Sequence, residues 1–243
     1  MLKLGFVDSI NALPFHLPFR QGVLPSPGML SFAPPSQLNA HLRADILDVA
    51  LTSASETFSK QLAPFCISAE KEVGSVHFYA KNSKGGRVGV TPHSAASIAL
   101  LKVLCHHFWK ISPHFEPLDR SKLLQYEGIL LIGDEALQTP HLLGYQTIDL
   151  AQAWYQETGL PFVFALFSCA QPIETTQLEE QLEEALTWSL DHLDAVVCEA
   201  YKQCPLPLEQ IHRYFGRLNY RLGEKEREGL KLFQELCKYV PGL

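Results

Sequence analysis

The chain has 243 residues, 47% of them hydrophobic and 19% charged, with a formal net charge of −6. This is enough apolar material for a large core, in one bilobed unit or two small domains, and it excludes a disordered acidic chain. Gln171 to Glu199 holds eight acids and no Lys or Arg, leaving 18 acids against 20 bases elsewhere, so the net charge does not exclude an anionic ligand.

Short apolar strands alternate with amphipathic helices, the pattern of an α/β protein with largely parallel sheets. "LKLGFV" (2–7) reads as the first strand, "PSQLNAHLRA" (35–44) as a helix starting near Ser36, a suitable N-cap, and "ILDVALTS" (46–53) as the second strand. "SVHFYAK" (75–81) is a strand broken by the polar "NSKGG" (82–86), which marks a domain boundary. "RVGVTP" (87–92) then opens a new strand-to-helix unit with the helix "SAASIALLKVLCHHFW" (94–109). "GILLIGDEAL" (128–137) is another strand leading into a helix, with Asp134 read as its cap. "LPFVFALFS" (160–168) is a continuous apolar run suited to a strand buried on both faces. Leu178, Leu182, Leu186, Leu190, Leu193 and Val197 recur at helical spacing with acids between, and Glu224 to Tyr239 repeats the pattern with Leu230, Phe233 and Leu236.

The start "MLKLGFVDS" has no long apolar region or small-residue cleavage site, and no apolar run approaches the roughly 20 residues that span a bilayer, so a cytoplasmic protein is expected. The six cysteines are scattered without a C-x-x-C pair, which reads as reduced core thiols rather than a disulfide frame or zinc site. No nucleophile elbow, P-loop, metalloprotease helix or dinucleotide fingerprint is present, and the absence of a basic stripe argues against nucleic acid.

What recurs is strands ending in small polar residues just before a helix: Asp8, Ser9 and Asn11; Thr52, Ser53 and Ser55; Thr91, Ser94 and Ser97; and Asp134. In parallel α/β sheets ligands bind beyond the carboxyl ends of strands, where helix N-termini offer unpaired N–H groups and partial positive charge. Hydroxyls and amides gathered there hold carboxylates without Arg or Lys. His93, in the turn Thr91-Pro92-His93-Ser94, is the one histidine placed to face such a ligand, although a helix N-terminus disfavours its charged form. His106, His107 and His192 read as surface or packing residues.

Taken in order, "SINALPF", "PSQLNAHLRADILDVALTSASE", "GSVHFYAKNS", "LLIGDEAL", "IDLAQAWYQETGLPFVFA" and "YFGRLNYRLGEKEREGLKLF" resemble the chorismate dehydratase family of the futalosine route to menaquinone. The stretch from Asp149 to Ala165 is the most specific, and separates this family from its sister, the dihydroxynaphthoate synthase. The resemblance implies a fold like that of type II periplasmic binding proteins: two lobes joined by two crossover strands, with a ligand cleft between them. "SVHFYAK" and "FVFALFS" are the expected crossings, residues 1–81 with 168–243 the first lobe and 82–167 the second.

The implied activity is loss of water from chorismate, a dicarboxylate, to give 3-[(1-carboxyvinyl)oxy]benzoate. No cofactor, metal, membrane or obligate protein partner is expected. In the family the substrate's own side-chain carboxylate is a proposed base, with an essential Asn and Ser around it; these match Asn11 and Ser75. Ser53, Thr91, Ser94, Ser97, Asp8 and His93 are the expected substrate contacts. The sequence departs from the family at Asp8-Ser9-Ile10, at Ala96 in place of Thr and at Asp45 in place of Gly. The changes at Asp8, Ser9 and Ala96 keep open a cytoplasmic two-lobed protein that binds a small carboxylate without turnover; the sister synthase is a further alternative, against which "TGLPFVFA" argues.

Overall fold

The computed structural model describes residues 1–56, 60–81, 86–91 and 95–243. The chain divides into two units, Met1–Ile67 with Ala165–Leu222 and Ser68–Phe164 with Gly223–Leu243.

In the first unit β1 (Lys3–Val7) leads through a 3₁₀ turn, Ile10–Ala12, into α1 (Leu13–Arg20). This helix was not legible in the sequence because Pro14 and Pro18 suggest a turn. Pro14 lies in the first turn, where no N–H is needed, and every residue from Leu13 to Phe19 is buried, so packing offsets Pro18 inside the helix. Next come β2 (Met29–Ala33), α2 (Pro35–Arg43), β3 (Val49–Ser53) and β4 (Lys60–Ala69). Helix α2 begins one residue before the expected Ser36 cap: Pro34 occupies the N-cap and Pro35 the first helical position, which suits its fixed φ.

The second unit contains β5 (Val76–Ala80), β6 (Arg87–Val90), α3 (Ala95–Val103), β7 (His114–Pro117), β8 (Gly128–Ile132), α4 (Gly133–Gln138), β9 (Gln146–Asp149) and α5 (Leu150–Thr158). Beyond α3 the chain continues as a π-helical segment, Leu104–Trp109, ended by Lys110 at φ 55°. Strand β10 (Phe162–Cys169) returns the chain to the first unit for α6 (Thr176–Asp191), α7 (Leu193–Gln203), α8 (Leu208–Phe215) and β11 (Asn219–Arg221). Helix α9 (Glu224–Cys237) belongs to the second unit.

The first sheet has the order β11-β4-β10-β3-β1-β2 and the second β7-β6-β8-β5-β9. Both are mixed rather than largely parallel. In the first, β1 is parallel to β2 and β3, and β10 is antiparallel to β3; in the second, β6 is parallel to β7 and β8, while β5 runs against β8 and β9.

Two features set where the chain passes between the units. "SVHFYAK" is an interior strand of the second sheet, hydrogen-bonded on both sides, so the change of unit falls earlier, within β4. The last helix joins the second unit because Phe233 meets Trp154 and Phe162 edge-on, at ring separations of 6.1 and 4.8 Å. The other change of unit lies inside β10, between Phe164 and Ala165.

The long acidic helix is two helices, broken at His192, whose ring stacks on Trp188. Leu178, Leu182 and Leu186 are buried, but the break leaves Leu190 44% exposed. None of the six cysteines is in a disulfide; four are buried, whereas Cys198 is exposed and Cys237 intermediate.

Candidate active site

In the first unit the parallel strands β1, β2 and β3 carry their carboxyl ends to one sheet edge, which receives Asp8, Asn11 and Ser53. Asn11 is held in the 3₁₀ turn by the Ala12 amide, which donates to the Ser9 carbonyl at 3.1 Å. Its Oδ1 is buried with no hydrogen-bond partner among the described residues. A buried acceptor left unpaired costs about 1–3 kcal/mol, a cost that a ligand hydroxyl donor would remove. Asp8 is exposed.

Ser53 closes β3, 3% exposed, with its hydroxyl 2.8 Å from that of Ser55. The Ser53 amide donates to Asn39 Oδ1 at 3.4 Å, and Asn39 Nδ2 donates to Glu56, which Arg43 also holds. This network fixes the turn after β3, so Ser53 presents a set geometry. Its neighbour Thr52 points the other way, into the core, bonding the Leu166 carbonyl and the Ser168 hydroxyl.

The second unit repeats the device with one antiparallel twist. Strands β6, β8 and β9 are all antiparallel to β5 or parallel to its partner, so their carboxyl ends share an edge with the amino end of β5. Ser75, Thr91, Gly133 and Asp149 therefore meet at one edge, and Ser97 lies in the first turn of α3. Ser75, Thr91 and Ser97 are 3%, 5% and 2% exposed. His93 and Ser94 lie outside the described residues.

Gly133, at φ 62°, donates its amide to the Ser75 carbonyl at 2.7 Å. A left-handed residue here calls for glycine. Asp134 sits one residue further on, in the first turn of α4, while Ile132 occupies the N-cap; its carboxylate complements the helix dipole rather than acting as the cap.

Two residues that the sequence reading passed over are central to this edge. Asp149 accepts amides from Ala151 (2.9 Å) and Gln152 (3.1 Å) as the N-cap of α5, and from Val73 (3.0 Å) and Gly74 (2.6 Å) in the turn before Ser75. His77 is paired in register with Asp149, its Nε2 3.8 Å from Oδ2 and its Nδ1 3.3 Å from the Tyr79 hydroxyl. Burial, with Glu135 nearby, pushes the Tyr79 phenol up to about 12, so it stays protonated and donates to the Thr139 carbonyl. The available signal was an Asp before an apolar helix, which predicts a cap but not the second pair of amides.

An open groove of about 770 Å³ in the first unit is lined by Trp188, Glu179, Glu180, Glu183, Glu184 and Asp191 among others. Five carboxylates there would repel a dianion. Among the described residues no cluster of His, Cys, Asp or Glu could hold a metal, and no helix is long and apolar enough to cross a membrane.

The aliphatic sulphonate binding protein of Escherichia coli, a periplasmic binding protein, superposes with a TM-score of 0.63 at 15% identity, covering 98% of this chain and 85% of that one. This likeness gives a periplasmic-binding-protein-like fold. The chorismate dehydratase of Campylobacter jejuni is 30% identical over 242 residues, with 96% of each chain covered. That of Thermus thermophilus is 32% identical over 230 residues, with 84% of each covered. The family model for menaquinone biosynthesis matches residues 2–239, so the chain belongs to the menaquinone biosynthesis family.

Proposed function

We propose that this protein is a cytoplasmic chorismate dehydratase, removing water from chorismate to give 3-[(1-carboxyvinyl)oxy]benzoate. The observation that carries the reading is two relatives bearing that name, aligned over 84–96% of the chain, together with two sheet edges that gather neutral hydrogen-bonding groups suited to carboxylates. Six cysteines without a disulfide accord with a reducing compartment.

The elimination breaks one C–H bond beside the enol ether and the neighbouring C–O bond, and the proton and hydroxide leave as water. The ring becomes aromatic, so the reaction is strongly downhill and asks mainly for orientation. Asn11 is assigned to the leaving hydroxyl: its buried Oδ1, with no partner among the described residues, accepts a hydrogen bond from that hydroxyl, and its Nδ2 is a donor for the oxygen as the C–O bond breaks. Ser75 is assigned as the second essential contact, a neutral donor to developing charge. Ser53, Thr91 and Ser97 are assigned to carboxylates, which hydroxyls bind at lower desolvation cost than a buried lysine would. Substrate carboxylate supplies the base, so the protein needs no dedicated one.

The test is incubation of purified protein with chorismate and chromatographic detection of the aromatic product. Product formation with wild type is the expected result, and its absence rejects the reading. Unchanged turnover in Asn11→Ala and Ser75→Ala would reject the assigned residues and leave the activity standing.

A further inference from the structure

Asp149 is 8% exposed and divides its two carboxylate oxygens between two tasks. Oδ1 accepts the Ala151 and Gln152 amides, which is ordinary capping of α5. Oδ2 accepts the Val73 and Gly74 amides, 76 and 75 residues away in sequence, and so pins the turn that precedes Ser75. Gly74 sits at φ 78°, in the left-handed region that favours glycine. On the far side of Ser75, the Gly133 amide holds its carbonyl at 2.7 Å. Ser75 is thus fixed from both directions by main-chain bonds, one set ending on a buried carboxylate.

A helix cap needs only one acceptor, and Ser or Thr supplies it as well as Asp does. The second oxygen is therefore surplus to the helix, and its partners lie in the segment carrying Ser75. We infer that Asp149 is a positioning residue for Ser75: it sets the direction of the Ser75 hydroxyl through the Val73–Gly74 turn without touching substrate. His77, facing Asp149 from β5, closes the remaining side of the carboxylate. The inference rests on the reading of Ser75 as a substrate contact.

Asp149→Ser separates the two tasks, because serine caps α5 but is too short to reach both turn amides. The expected result is a thermal midpoint close to wild type with kcat for chorismate lowered about 100-fold, the scale of a misplaced reacting group. In a Ser75→Ala background the same substitution should change kcat by less than about 2-fold, since the group it orients is gone. Amide exchange followed by NMR should speed up at Val73 and Gly74 while Ala151 and Gln152 keep their protection. Asp149→Asn, which retains one acceptor oxygen and nearly the same volume, gives the same readings should the serine variant fold poorly. A merely structural role predicts loss of thermal stability and the full loss of turnover again in the Ser75→Ala background. That outcome, or unaltered exchange at Val73 and Gly74, overturns the inference while wild-type turnover stands. No wild-type turnover removes the activity reading and this assignment with it.

Discussion

The Gly133 amide donates to the Ser75 carbonyl at 2.7 Å, joining the end of β8 to the beginning of β5. This bond ties the motif "IGDEAL" to the segment that carries Ser75, and the Asp134 carboxylate serves the dipole of α4. Ser75→Ala should lower kcat about 100-fold, as loss of a preorganised donor does. Asp134→Asn should cost no more than about 1 kcal/mol of stability and leave kcat near wild type. Steady-state kinetics and urea unfolding of both variants check the pair; a collapse of kcat in Asp134→Asn would restore the acid to the chemistry.

Asp45 is the second testable position. It follows α2 at φ 54°, where the Ile46 amide reaches the His41 carbonyl at 2.9 Å and the Asp45 amide the Leu42 carbonyl at 3.2 Å, a Schellman ending. That left-handed position favours glycine. Asp45→Gly should raise unfolding free energy by about 1 kcal/mol by removing the left-handed penalty. The bond it forfeits, from Gln171 at 3.5 Å, is exposed and long. A drop in the urea midpoint would contradict this.

Gly229 gives the opposite sign. It lies inside α9, where alanine ordinarily gains about 1 kcal/mol. Here a Cβ would run into the carbonyl oxygen of Pro161, a backbone atom unable to step aside. Gly229→Ala should therefore destabilise by about 1–3 kcal/mol, as overpacking does. Thermal unfolding decides between the two signs.

His16 makes stability pH-dependent. It is buried in α1 with the rings of Phe6 and Phe32 edge-on to it at 5.3 and 4.8 Å, and burial, helped by Arg20, lowers its pKa from 6.5 to about 3. Above pH 6.5 the ring is neutral folded and unfolded, so it contributes no slope. As pH falls from 6.5 towards 3 the unfolded chain takes up the proton first, and stability drops by up to about 1.4 kcal/mol per pH unit. His16→Phe should flatten that part of the curve, measured by urea unfolding between pH 7 and pH 4.5; an unchanged slope would assign it to other groups.

The sequence by itself determined the α/β class, most strands, the family and the polar strand ends, because these rest on local periodicity and on residue types that suit turns. Ser53, Thr91 and Ser97 were legible in that way and Ser75 only through the family resemblance, and each proves to be buried at or beside a sheet edge. Tertiary structure alone decided the strand directions, since alternation of apolar residues is the same whichever way a strand runs; β5 and β10 reverse against their neighbours and turn parallel sheets into mixed ones. It also decided α1, whose prolines deny it locally while complete burial stabilises it, and the place of α9, fixed by Phe233 against Trp154 and Phe162. Most of all it decided Asp149. A cap is a local event that sequence can show, but the two amides on its other oxygen arrive from a turn 75 residues away, and only folding brings them within reach.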